Sequence, residues 1–384
     1  MVLAELNVNA AMVLAPDFTP TTFAAGHNVS GPPATVTGRA VDPTLLAFTF
    51  SNHAEVRYFS ESGGNYPEDH TGLGTDRAPP VVLPSGATTA LLAGDYNGAE
   101  VVSHAVYGTR GSLSSVSLNG GIARIHLAGA CTPNKAKLAV STKTGSLATL
   151  VVDQANGGLT TALSTGNEQY PLGNSTLPAV ILDHLTNPAQ VFSAWESTGN
   201  TTIQLDLLNA NGTFAVAGMS RLVPGEVTGM ALVVHNGSTS LAATSTSGSL
   251  HVYSLNGATG DVVVTPGGIL GGVSSVALMP SDAAPTFFFG DSQGKVHAVR
   301  AGAELSQFGF PLQLPAGHRV IQPPLLFRVA NGQPWILLVV SETGAGASVA
   351  GYYTGWTLGS ASSTPGQWPE YQGDQTNRGC VVAP

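Results

Sequence analysis

Charge is what this chain most conspicuously lacks. Asp, Glu, Lys and Arg make up 10% of its 384 residues, against about a quarter in an ordinary soluble domain. The net charge is −9, and the 14 Lys and Arg form no cluster. The phosphate neutralisation on which nucleic-acid binding depends is therefore excluded. Cysteine is nearly absent as well, with only Cys131 and Cys380. Neither has a C-x-x-C neighbour, which removes thiolate metal sites and dithiol redox chemistry. A bond between them would tie an early-middle part of the chain to its C-terminal tail in an oxidising compartment. Two separate thiols, with Cys131 buried and inert, is the other reading. No run of 18 apolar residues occurs, so no membrane-spanning helix is expected. Met1–Pro16 has no basic n-region of a signal peptide, so export implies a chain already processed or another carrier. No stretch sustains the 3.6-residue period of a helix.

What the chain has is a recurring hairpin. In Ser240–Gly260 an apolar run, Leu241–Ala243, meets a small polar turn at Ser247-Gly248-Ser249. A strand with apolar residues at alternate positions, Leu250 and Val252, follows. Glycine-bearing turns between apolar runs are a strong local hairpin signal. The unit returns around Thr144-Gly145-Ser146, Thr198-Gly199-Asn200, Gln293-Gly294-Lys295 and Thr343-Gly344-Ala345. An earlier copy turns at Arg110-Gly111-Ser112 and a degenerate one at Asn52-His53-Ala54. From Gly111 the glycines step by 34, 54, 49, 46 and 50 residues, through positions 145, 199, 248, 294 and 344. One such hairpin cannot bury its own apolar face, whereas four-stranded sheets packed radially can. Seven units predict an all-β fold, a seven-bladed β-propeller over residues 41–384. A pair of β-sandwiches fits the length equally but requires no recurrence.

Residues 1–40 differ. They are nearly uncharged and dotted with Pro16, Pro20, Pro32 and Pro33. They read as an extended N-terminal arm whose apolar runs, Met1, Val2, Leu3 and Met12, Val13, Leu14, are the candidate partner-binding residues. The only dense polar cluster is Glu68-Asp69-His70, with Asp76 and Arg77 close by, in a stretch (65–78) read as a long solvated loop. Ten histidines are scattered without H-x-H or H-x-x-x-H spacing, a poor metal signal. No G-x-S-x-G elbow, Walker loop or H-E-x-x-H motif is present, which lowers the odds of an enzyme. Five N-x-S/T sequons, at Asn28, Asn174, Asn200, Asn211 and Asn236, would accept glycans in a host that adds them; those at Asn211 and Asn236 read more simply as turns.

Two stretches near the C-terminus are more specific. Phe308-Gly309-Phe310-Pro311-Leu312 precedes one unit, and Trp368-Pro369-Glu370-Tyr371-Gln372-Gly373-Asp374-Gln375-Thr376-Asn377-Arg378-Gly379 follows the last. Together they resemble the FG-GAP/VCBS and PQQ-like bacterial secreted propellers, in which a GFP-type turn leads into the last blades and a WP tail closes the ring. The resemblance implies a structural clasp of Trp368, Pro369, Tyr371, Asp374 and Asn377. Trp368 and Tyr371 would act as apolar caps, with Asp374 and Asn377 satisfying turn backbone. Members of the group often bind Ca²⁺ in Asp-rich loops. The nearest matches here, Asp95-Tyr96-Asn97-Gly98 and Asn209-Ala210-Asn211-Gly212, offer too few carboxylates for that ion and read as turns. The expectation is a propeller without cofactor, Ca²⁺ being the one candidate ion.

The functional expectation is a non-enzymatic extracellular or cell-surface module that binds other protein chains. In its concrete form it is an outer subunit of a filament or pilus-like assembly, attached through its arm by strand addition. The alternatives are a carbohydrate-active or other hydrolytic propeller using carboxylates such as Asp95, Glu100, Asp291 or Glu342, and a Ca²⁺-dependent adhesin.

Overall fold

The computed structural model describes strands along the whole chain. It describes side chains chiefly within residues 190–207, 220–254, 263–274, 284–326, 336–344 and 352–358, with isolated residues elsewhere. The chain opens on β1 (Val2–Ala4), β2 (Ala11–Leu14) and β3 (Pro20–Phe23), an antiparallel meander of its own. Within the segment read as an extended arm, the chain thus pairs with itself, setting Val2 opposite Val13 and Leu3 opposite Met12.

Among the described residues seven further sheets follow in sequence order. The first holds β4 (Ala34–Val36), β5 (Leu45–Phe50), β6 (His53–Ser60) and β7 (Asp69–His70). The second holds β8 (Val81–Leu83), β9 (Ala90–Gly94), β10 (Glu100–Ala105) and β11 (Ser114–Ser117). The third comprises β12 (Ile122–Ala128), β13 (Ala136–Thr142), β14 (Ser146–Asp153), β15 (Gly158–Thr161) and the short β16 (Glu168–Gln169). In the fourth are β17 (Ala179–Asp183), β18 (Ala189–Ser197), β19 (Asn200–Leu208) and β20 (Phe214–Pro224). The fifth is β21 (Val227–His235), β22 (Ser238–Ser245), β23 (Ser249–Ser254) and β24 (Asp261–Val264). The sixth contains β25 (Val273–Val276), β26 (Thr286–Gly290), β27 (Lys295–Arg300), β28 (Ala303–Glu304) and β29 (Leu312–Gln313). The seventh is β30 (Arg319–Val320), β31 (Leu325–Phe327), β32 (Pro334–Thr343) and β33 (Ala350–Ser360). A last strand, β34 (Cys380–Val382), returns to the fourth sheet and pairs in parallel with β17.

The recurring hairpin is the second-to-third-strand connection of the first and third to sixth sheets; in the seventh it joins β32 to β33, because β30 and β31 pair one after the other along β32 and together take the place of a single first strand. One copy needs correction. The copy assigned to Arg110-Gly111-Ser112 lies between β10 and β11, the third and fourth strands of its sheet. The equivalent connection joins β9 to β10 and carries Asp95-Tyr96-Asn97-Gly98. Counted from Gly98, the anomalous step of 34 becomes 47 residues (98 to 145), and the period is regular. The polar stretch 65–78 also contains more than a loop, because Asp69–His70 is the fourth strand of the first sheet, opposite Glu55 and Val56.

The sheets pack face to face, and their first strands meet: β4 touches β8, β12 touches β17, β17 touches β21 and β21 touches β25. This stacking explains why Thr286–Gly290 is buried throughout rather than alternately. Phe287 and Phe289 join the core shared with the fourth and fifth sheets, while Phe288, between them, joins the core shared with the seventh. Successive strand side chains point to opposite faces, and here both faces are covered. Where first strands converge there is no space for a side chain: a Cβ on Gly229 would stand 2.6 Å from the Gly272 Cα.

Candidate functional site

The best-defined polar chemistry lies in the hairpin turns of the fifth, sixth and seventh sheets. Gly199, Gly248, Gly294 and Gly344 all have φ between +76° and +89°, the left-handed region that favours glycine. Three of these turns, at Gly199, Gly248 and Gly294, are tied to neighbouring connections. The carbonyl of the turn glycine accepts from the chain leaving its own sheet: Gly199 from Gly225 N–H (3.2 Å), Gly248 from Thr265 N–H (2.8 Å) and Gly294 from Leu314 N–H (2.9 Å). Two residues earlier, Thr246 and Ser292 donate their N–H to the connection entering the sheet, at Glu226 O and Gly268 O (both 2.8 Å). Three residues before the glycine, Ser245 O and Asp291 O accept from the chain leading to the next sheet, Ile269 N–H and Val320 N–H (both 3.2 Å). The Gly248 and Gly294 turns are therefore each a backbone clamp between the chain entering and the chain leaving their sheets.

The side chains of this frame follow S-x-x-G-x-x-H in Ser245–His251 and D-x-x-G-x-x-H in Asp291–His297. In the sixth sheet Asp291 is fully buried. Its Oδ1 accepts from Gln293 N–H (2.9 Å) and Lys295 N–H (2.8 Å), and its Oδ2 faces His297 Nε2 at 3.4 Å. The other ring nitrogen, His297 Nδ1, lies 2.8 Å from Glu304 Oε2, and Glu304 Oε1 accepts from Ala298 N–H (2.9 Å). The imidazole stacks on Phe289 at 4.9 Å. With a carboxylate against each nitrogen, only the doubly protonated ring donates to both. Burial pushes the His297 pKa down, but the hydrogen bonds and charges of Asp291 and Glu304 outweigh it and leave it raised. Burial likewise pushes the Asp291 carboxyl up, and the bonds from His297, Lys295 and Gln293, with the His297 charge, hold it below its usual range.

The fifth sheet fills the same frame without charge. Ser245 Oγ lies 2.7 Å from both Ser247 Oγ and Ser249 Oγ, and Ser249 Oγ is 3.0 Å from His251 Nε2. Burial lowers the pKa of His251, which favours the neutral ring. In the seventh sheet the buried residue at this position is Ser341, whose hydroxyl lies 2.9 Å from His318 Nδ1. Beside it Arg319 Nη2 pairs with Glu342 Oε1 at 2.6 Å.

Two of the four carboxylates proposed for hydrolysis are thus engaged, Asp291 within its own turn and Glu342 with Arg319 of β30. Glu100 lies on β10 opposite Ser117, and Asp95 falls outside the described residues. Cys380 lies in β34; Cys131, Met1, Trp368, Pro369, Tyr371, Asp374 and Asn377 lie outside the described residues. Among the described residues no group of three or more His, Cys, Asp or Glu is placed to hold a metal ion, and no helix is long and apolar enough to cross a membrane. Sequence reading missed Ser245, His251, His297, Glu304, His318 and Ser341. Ser245, Glu304, His318 and Ser341 carried no distinctive pattern alone, but histidine three residues after the turn glycine in two successive copies, His251 and His297, was a visible signal.

No family model matches the chain, and no curated protein matches it. Solved structures do. BBS1N, in a crystal structure of its complex with ARL6DN, aligns with a TM-score of 0.52 at 13% identity, over 81% of this chain and 87% of that one. The Dos1 propeller aligns with a TM-score of 0.51 at 9% identity, over 91% of this chain and 82% of that one. The chain has the β-propeller fold. At these identities the likeness is one of fold.

Proposed function

We propose that this propeller is a non-enzymatic module that binds other protein chains and needs no cofactor to do so. The observation that carries the reading is the engagement of its buried ionisable groups. Asp291, His297 and Glu304 form a closed set within the sixth sheet, and Glu342 is paired with Arg319. Acid–base chemistry on a substrate needs such groups within reach of it, and Asp291 is fully buried. The structurally similar BBS1N is in complex with another protein, ARL6DN, which shows that a propeller of this general form can carry a protein partner. Exposed apolar side chains, Leu222, Val264, Phe308 and Tyr352 among them, are contact material of the kind such surfaces use.

In its finer form the proposal places the module at the cell surface as a subunit of a larger assembly. The low charge and Thr/Ser-rich composition support this, as does an N-terminal meander able to offer a strand edge. The test is the native mass of the protein, released gently from its source and measured by size exclusion with light scattering. A stoichiometric complex or polymer is expected. A 39 kDa monomer with measurable hydrolytic turnover would overturn the proposal.

A further inference from the structure

The fourth sheet contains a strand that its own stretch of sequence did not supply. Each of the other six sheets takes its strands from one continuous stretch of sequence, as do β17–β20 here. To this complete antiparallel set β34 is added in parallel, with Ile181 opposite Cys380, Leu182 opposite Val381 and Asp183 opposite Val382. It lies at the first-strand edge of the sheet and touches β12 and β21 as well as β17. Whatever occupies this edge therefore spans the first strands of three successive sheets. Residues 361–379 lead to it from the seventh sheet and include Pro365, Gly366, Pro369, Gly373 and Gly379. Extended, such a connector reaches roughly 60 Å.

From this we infer that β34 is an exchangeable strand, and that the β17 edge accepts the same strand from a second copy of this chain. Removing β34 leaves a four-stranded antiparallel sheet of the kind the fifth sheet already is, so the acceptor retains a complete sheet of its own. Exchange between copies keeps every one of the three backbone pairings, which makes swapping of an identical element a low-cost route to association. The main-chain bonds supply affinity, and the parallel register fixes which strand fits. The difference between the closed and the exchanged forms is then connector entropy against protein concentration. Reciprocal exchange gives a closed dimer, and one-way exchange gives an open chain of copies. The inference goes beyond the proposed partner binding and does not rest on it.

The test uses the full chain with Cys131→Ser and Cys380→Ser, and a new pair, Leu182→Cys and Val381→Cys, at directly opposed positions. Adjacent strands bring such pairs within disulfide range. Two differently tagged copies are mixed, oxidised over a hundred-fold range of concentration, and separated without reductant. The expected result is an intrachain link in dilute solution, with links between the two tags rising at least ten-fold as concentration increases. In parallel, native mass spectrometry of unsubstituted tagged and untagged chains should show hybrid oligomers after concentration. Intrachain links alone at every concentration, or no link of either kind, together with the absence of hybrids from the unsubstituted mixture, would overturn it.

Discussion

The fifth and sixth sheets are two fillings of one frame. Both place a left-handed glycine at the turn, at φ +83° and +76°, and both hold the same neighbouring connections through the same backbone atoms. They differ three residues before the glycine. Ser245 builds a hydroxyl ladder to a neutral His251; Asp291 builds a charged set with His297 and Glu304. The clamp is thus a property of the backbone, and the side chain behind it is free to vary as long as it is buried and satisfied. Hydroxyls satisfy it without a charge to desolvate. The carboxylate gains stronger bonds and binds its sheet to the need for two partners.

The largest difference between the two should come from truncation. Asp291→Ala leaves buried N–H groups and an imidazolium without their acceptor, and should cost about 3–5 kcal/mol. Ser245→Ala should cost about 1 kcal/mol. Urea denaturation of the two variants side by side checks the ratio, and equal losses would mean that the charge adds nothing. The glycines separate next. In Gly248→Ala the new methyl would stand 2.6 Å from Gly267 O and 2.7 Å from Thr265 O, on top of the left-handed backbone, for a loss of about 3 kcal/mol. Gly199 has the same backbone and no atom within 4 Å, so Gly199→Ala should lose only about 1 kcal/mol. Ser245→Asp would convert one filling toward the other: His251, now beside a carboxylate, should titrate above its ordinary 6.5 instead of below it, as histidine NMR would read. Val264→Thr, at 71% exposure, should change stability by no more than about 0.5 kcal/mol.

Much of this frame was written in the sequence and was read one strand out of place in a single copy. With Gly98 in place of Gly111, the residue three before each glycine reads Asp95, Thr142, Glu196, Ser245, Asp291 and Ser341. Every one carries a side-chain hydrogen-bond acceptor. Gly111 misled because its flanks, Arg110 and Ser112, look like any polar turn, and local composition does not distinguish a second-to-third-strand hairpin from a third-to-fourth one. Glu304 was beyond reach for another reason. It meets His297 only because β28 folds back on β27, pairing Val299 with Glu304, and a two-residue strand leaves no periodic trace. The return of β34 to the fourth sheet was equally hidden, since a parallel strand added from far along the chain has no local signature.

The two histidines also give opposite pH dependences. The native pKa of His297 is raised, so its contribution is complete below 6.5 and is lost as pH rises through the native value. Asp291, lowered, contributes fully above 3.8 and loses its part as pH falls through its native value. The charged clamp is therefore strongest between these two ordinary values. His251, lowered by burial, contributes above 6.5 and weakens as pH falls through its native value. A His297→Gln variant should approach wild-type stability as pH rises, and a His251→Gln variant should approach it as pH falls.

The central claim is that Asp291, His297 and Glu304 form a closed structural clamp and not a working acid–base site. It is tested most directly by titrating both imidazoles in the native protein by NMR. The account predicts His297 titrating above 6.5 and His251 below it, with the His297 midpoint falling on Glu304→Gln. A His297 that titrates below 6.5 and does not respond to that substitution would contradict it.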